Sequence, residues 1–172
     1  MKRLTIIGSA LALLLITSCK KLQEDKVIWT GDFVEVDATV LNAPATGKVY
    51  PLLTRVPQGG RPVITAQDPL ITRSSGTVSL RVNLVAPQRN QEETLTFKVV
   101  DSVTTAIKDT HYKTTGTVKI PANSSFGFIE IQVLNPGATT GGPKNLVLEL
   151  ESSATLKANP NYNVVGISIA QN

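Results

Sequence analysis

From Val34 onward the chain alternates between apolar and polar positions. Val34, Val36, Ala38 and Val40 form one apolar row with Glu35, Asp37 and Thr39 between them, and Val78, Leu80, Val82 and Leu84 repeat it against Ser79, Arg81 and Asn83. Shorter rows follow at Leu95, Phe97 and Val99; Val118 and Ile120; Ile129, Ile131 and Val133; Leu146, Leu148 and Leu150; and Val165, Ile167 and Ile169. Successive side chains of a strand point to opposite faces, so a period of two marks a strand with one buried face. The seven segments are separated by turn formers, among them Asn90, Asn123, Asn135-Pro136-Gly137, Gly141-Gly142-Pro143 and Asn159-Pro160-Asn161. No stretch sustains a 3.6-residue period with caps. The pattern predicts an all-β domain of about seven or more strands, packed as two antiparallel sheets in an immunoglobulin-like sandwich. A closed barrel remains compatible with the alternation.

Residues 42–76 break the rhythm. They hold five of the ten prolines, Pro44, Pro51, Pro57, Pro62 and Pro69, together with Gly47, Gly59, Gly60 and Gly76. Proline cannot donate a ladder hydrogen bond in a central strand. Three readings stay open for this segment: a functional loop, a disordered one, or short edge strands within Val49–Thr54 and Val63–Thr65.

The first nineteen residues follow another logic. Met1-Lys2-Arg3 precedes an apolar run from Leu4 to Ile16 that only Thr5, Gly8 and Ser9 interrupt. That is the layout of a secretory signal segment, expected to be helical, and it is shorter than the ~20 apolar residues a membrane span takes. Ile16-Thr17-Ser18-Cys19 resembles the lipobox of bacterial lipoproteins. The resemblance implies cleavage after residue 18 and acylation of Cys19, the single cysteine of the chain. Two or more acyl chains give anchoring that one does not. The expected organisation is a signal peptide over 1–18, a charged tether over 19–26 and one sandwich domain over 27–172. The expected location is the cell envelope, held at the outer membrane through Cys19, with Glu24-Asp25 leaving surface and periplasmic faces both open.

Composition narrows the partners. Without Lys2 and Arg3 the chain carries 15 basic against 13 acidic side chains, and apart from Lys20-Lys21 its basic residues are scattered singly. Clustered Lys/Arg interleaved with stacking aromatics would mark a nucleic-acid surface, and none occurs. One cysteine allows no internal disulfide, so stability has to come from the core.

Residues 104–124, Thr-Thr-Ala-Ile-Lys-Asp-Thr-His-Tyr-Lys-Thr-Thr-Gly-Thr-Val-Lys-Ile-Pro-Ala-Asn-Ser, resemble the central signature of Calx-beta-type sandwich domains, with its Gly-Thr-Val strand start and Ile-Pro-Ala turn. The order continues through Ile129–Val133 and Leu146–Leu150. With Val82-Asn83-Leu84-Val85, the chain is similar to Calx-beta-like domains of cell-surface lipoproteins of the Bacteroidota. Calcium-binding members use an aspartate where this chain has His111, and acidic residues in the later loop, where Asn135–Asn145 holds none. Calcium takes about six to eight oxygen ligands, several of them carboxylates, and Asp101 and Asp109 alone do not supply them. No metal site of the family kind is expected.

Catalytic sets are also missing. His111 is the only histidine, and Asp109, two residues away, does not give a triad's orienting geometry; no Gly-x-Ser-x-Gly elbow is present. Glu130, Glu149 and Glu151 alternate with apolar neighbours, which places them on solvent faces rather than in a cleft. Gly137–Gly142 lacks the lysine and helix of a phosphate cradle. The expectation is therefore a non-enzymatic interaction or structural module without cofactor, with a protein or glycan partner and no nucleic acid. The alternative is a glycan-binding accessory module contacting its ligand through Trp29 and Tyr50. Phe97 falls on a core row, whereas Phe126 and Phe128 project away from Ile129 and Ile131, either exposed or covered by residues 42–76.

Overall fold

A computed structural model describes residues 31–37, 45–137 and 141–172. All seven alternating runs form strands. They are β1 (Phe33–Val36), β3 (Thr77–Val85), β4 (Glu93–Val99), β6 (Thr117–Ile120), β7 (Phe126–Val133), β8 (Lys144–Leu150) and β10 (Val164–Ile169). Among the described residues three two-residue strands join them: β2 (Leu52–Leu53), β5 (Tyr112–Lys113) and β9 (Lys157–Ala158). The sequence had given no sign of β5 or β9, because two residues carry no period. The helical signal expected at the N-terminus, the tether, Trp29, and Ala38 and Val40 of the first row lie outside the described residues.

The strands make two five-stranded sheets, ordered β5-β7-β3-β1-β9 and β2-β10-β8-β4-β6. This is the sandwich rather than the barrel. The sheets are mixed rather than purely antiparallel, since β9 joins β1 and β2 joins β10 in parallel. Both exceptions are edge strands, where a two-residue pairing needs no crossover return inside the sheet.

Alternation explains the core. Val78, Leu80, Val82 and Leu84 on β3 and Ile129, Ile131 and Val133 on β7 face Leu95, Phe97, Leu146, Leu148, Leu150, Ile167 and Ile169 across the sandwich, and all are buried. Removing one such leucine or isoleucine side chain typically costs about 2–5 kcal/mol. The exposed ion pairs of the second sheet, Lys98 with Glu149 at 3.1 Å and with Glu151 at 3.8 Å, are each worth under about 1 kcal/mol. Burial therefore decides the fold.

Residues 45–76 are ordered by three devices. Leu52–Leu53 pairs with β10, and isolated bridges join Arg55 to Leu70 and Thr72 to Ala170. Ile71 is inserted into the core. Asp68, buried, accepts from both terminal nitrogens of Arg61 at 2.5 and 2.9 Å and from the Ile64 backbone at 2.6 Å. Short edge pairing is realised in part: Leu52–Leu53 within Val49–Thr54 is a strand, whereas Val63–Thr65 is not, its backbone turning instead so that the Ile64 N–H reaches Asp68.

Asp37 departs from the simple pattern. It stands in the polar set of the first row, yet it is only 2 % exposed. Its backbone N–H donates to the Arg81 carbonyl at 2.9 Å, and its carboxylate accepts from the Gly60 backbone. Residues 57–60 close over it, using positive φ at Gly59 (55°) and Gly60 (73°), a region that favours glycine.

Where β6 leaves the second sheet for β7 in the first, the backbones nearly touch. A Cβ at Gly127 would lie 2.1 Å from the Lys119 carbonyl oxygen and 3.3 Å from the Ile120 Cα. Gly127→Ala is accordingly expected to destabilise by about 3 kcal/mol, the upper end of the range for overpacking because the obstacle is main chain. Denaturant unfolding measures it, and an unchanged midpoint would count against the close approach.

Asp68 gives a second prediction. The Arg61 guanidinium first, then the Ile64 N–H, holds its carboxyl at about 2, below the ordinary 3.8. A depressed folded-state value means stabilisation that is complete above the unfolded value and drains away as pH falls through the folded one. Melting followed from neutral pH down through this window should show a steeper acid loss for the native protein than for Asp68→Asn, whose melting temperature is already lower at neutral pH. Parallel acid profiles would contradict the pairing.

Candidate binding face

The outer face of the first sheet is set by β7. Gly127, Ile129, Ile131 and Val133 point inward, so Phe126, Phe128, Glu130 and Gln132 point out. Register extends each into a row. Phe126 lies opposite Asn83, Phe128 opposite Arg81, Glu130 opposite Ser79 and Gln132 opposite Thr77; on its other side Gln132 faces Lys113.

Two of the four rows are aromatic. Phe126 and Phe128 remain 38 % and 42 % exposed, with ring centroids 5.7 Å apart and planes at 77°. Edge-to-face contact of this kind suits the ring quadrupoles. The Arg81 guanidinium carbon sits 4.2 Å from the Phe126 centroid while Arg81 Nε donates to Asn83 Oδ1 at 2.7 Å. Arg81 also lies under Gly59 and Gly60. Residues 59–60 thus border the aromatic pair without hiding it.

The other two rows are polar and frame a shallow hollow of about 370 Å³, lined by Thr77, Lys113, Thr114, Thr115, Glu130 and Gln132. That is within the range of small-ligand sites. One Glu130 oxygen accepts from the Ser79 hydroxyl at 2.8 Å, and the Thr114 hydroxyl donates to the Glu130 carbonyl at 3.1 Å. By contrast, the space beneath residues 57–59, bounded by Val36, Asp37, Leu53 and Leu80, is about 10 Å³, room for one water at most.

Tyr50 does not belong to a displayed surface. It is 7 % exposed, and its ring lies over Gly166 on the outer side of the second sheet: a Cβ there would meet Leu52 Cδ1 at 2.8 Å and Tyr50 Cε2 and Val147 Cγ2 at 3.4 Å. The ring covers strand backbone left bare by glycine, and the Lys48 ammonium stands 5.6 Å from its centroid. A ring used for packing cannot also stack on a ligand. Trp29, its proposed companion, lies outside the described residues, as does Cys19.

His111 is a turn anchor. It is buried, its Nδ1 accepts from the Ile107 backbone N–H at 2.9 Å, and its backbone N–H donates to the Ile107 carbonyl at 2.8 Å. Asp109 occupies the turn itself with φ of 62°. Asp101 and Asp109 act on Tyr112, whose hydroxyl is pushed up by burial first and by these two carboxylates next. At the same end Asn145 Oδ1 is buried without a partner. Two carboxylates and one amide oxygen fall short of a calcium cage, and among the described residues no three His, Cys, Asp or Glu side chains gather as metal ligands do.

Sequence reasoning exposed Phe126 and Phe128 as one alternative but missed Arg81, Lys113, Glu130 and Gln132 as their neighbours. The available signal was two phenylalanines on the polar row of an otherwise ordinary alternating strand. The cross-strand neighbours depend on register, which no single strand reveals.

No protein-family model matches the chain, and no curated protein does. Among solved structures, the apo form of the Calx CBD1 domain superposes with a TM-score of 0.49 at 14% identity, over 59% of this chain and 88% of that one. CBD12 from CALX1.2 gives 0.45 at 17% identity, over 58% of this chain and 40% of that one. A protein from Bacteroides ovatus, provisionally described as carbohydrate binding, gives 0.42 at 13% identity, over 55% of this chain and 31% of that one. The match thus spans less than half the length of the latter two. Neither calcium nor carbohydrate passes from those proteins to this chain.

Proposed function

We propose that the chain is a non-enzymatic binding module of the cell envelope, anchored by lipid at Cys19 and meeting its ligand with the outer face of the β5-β7-β3-β1-β9 sheet. The observation that carries the reading is the pair Phe126 and Phe128, both about 40 % exposed on a strand whose opposite face is fully used by the core. An aromatic pair left in water beside polar residues is costly unless something covers it in use. Lipid attachment is supported by the residues before Cys19 and by the charged tether after it; outer-membrane placement, as in surface lipoproteins of the Bacteroidota, follows from the same segment. A glycan contact through Tyr50 loses its ring to packing, so a binding role shifts to the opposite sheet.

Two measurements test this. A photo-reactive benzoyl group carried on the ring at position 128 should form a covalent adduct in illuminated cells, whereas the same group at Thr94, exposed on the other sheet, should not; equal labelling at both positions, or none at 128, rejects the binding face. Cells fed an alkyne-tagged fatty acid should label the protein, and Cys19→Ala should abolish the label. A labelled Cys19→Ala protein rejects the anchor.

A further inference from the structure

Beside the aromatic pair, the hollow between β5, β7 and β3 has a chemistry of its own, and we propose that it is a saccharide subsite for an uncharged pyranose ring. This rests on the outer face being the binding face.

The donors and acceptors are mixed and close together. Gln132 stands between Lys113 and Thr77 across three strands, and directly opposed residues have Cβ atoms about 5 Å apart. Its amide offers both donors and acceptor, Thr77 a hydroxyl that does either, and Lys113 up to three N–H groups. The side chains of Lys113, Gln132 and Thr77 make no hydrogen bond or ion pair with another described residue, while the single carboxylate, Glu130, accepts from Ser79 through one oxygen and through the other from no described residue. Neighbouring ring hydroxyls each donate one bond and accept others, so they are matched by a site that alternates donor and acceptor over a few ångströms.

Charge selects among ligands. Lys113 and Glu130 balance within the hollow, leaving neither a cationic patch for an acidic polymer nor an acidic one for a basic peptide. Phe128 lies two residues from Glu130 on the same face, about 7 Å along the strand. The apolar C–H face of an adjoining sugar unit can rest there while its neighbour occupies the hollow.

Affinity electrophoresis of the full chain, purified in detergent, through gels holding dextran, laminarin, mannan or xylan tests the proposal, with heparin and polygalacturonate as charged probes. At least one neutral polysaccharide should retard the protein, with retention unchanged between about 0.05 and 0.5 M salt, over which charge interactions are progressively screened. Glu130→Ala and Gln132→Ala should each weaken retention by about tenfold, the effect of losing a hydrogen bond in such a site, with melting temperature unaltered in Gln132→Ala and slightly lowered in Glu130→Ala, which also gives up the Ser79 hydrogen bond. Absence of retardation by every neutral polymer, salt-sensitive retardation by the anionic ones alone, or full retention by both variants would overturn it. Should adducts still form at position 128 in cells in any of those cases, the saccharide falls and the binding face stands; should they be missing as well, both fall.

Discussion

The contact between the β6 main chain and Gly127 governs the rest of the molecule. Lys119 lies so close to the inner side of β7 that any side chain at 127 collides with its carbonyl, and a strand can turn its residues only as alternate sets. Once Gly127 faces inward, Ile129, Ile131 and Val133 must fill the core, and Phe126 and Phe128 must go to water. The exposure of the aromatic pair is therefore a consequence of how the two sheets are joined at one corner, and slipping β7 by one residue would bring one of the two rings into the space that the Lys119 carbonyl occupies.

The opposite sheet solves its glycine differently. Gly166 faces outward, and residues 45–53 fold across it, laying Tyr50, Leu52 and Val147 into a small apolar cluster outside the main core. Arg61 and Asp68 then fasten the rest of this segment, and Gly59-Gly60 carries it to the border of the aromatic pair beside Arg81. One proline-rich stretch thereby covers one sheet and trims the edge of the other.

Legibility followed length and period. Seven strands were visible because each repeats an apolar position at least twice, and hydrophobic burial reads that repeat directly. Strands of two residues were invisible because their pairing is dictated by neighbours. Asp37 looked solvent-facing because its own strand says so; the cover over it arrives from residues 57–60. Tyr50 looked like a displayed ring for the same reason, since the bare backbone it protects lies more than a hundred residues away in the chain. The hollow needs three strands in register, and Lys113 sits on one too short to be foreseen. What local pattern controls was readable; what depends on a distant partner was not.

The sheets end in very little strand. Among the described residues three of the four margins are two residues long, and the fourth, Thr117–Ile120, turns the polar side chains of Thr117 and Lys119 outward. Unpaired main-chain groups on a long flat margin invite the next copy to add itself, and stubs interrupted by charge offer scant template for that. A crowd of such molecules held side by side would gain little from zipping into a continuous ribbon, so each copy can stay separate at high local density.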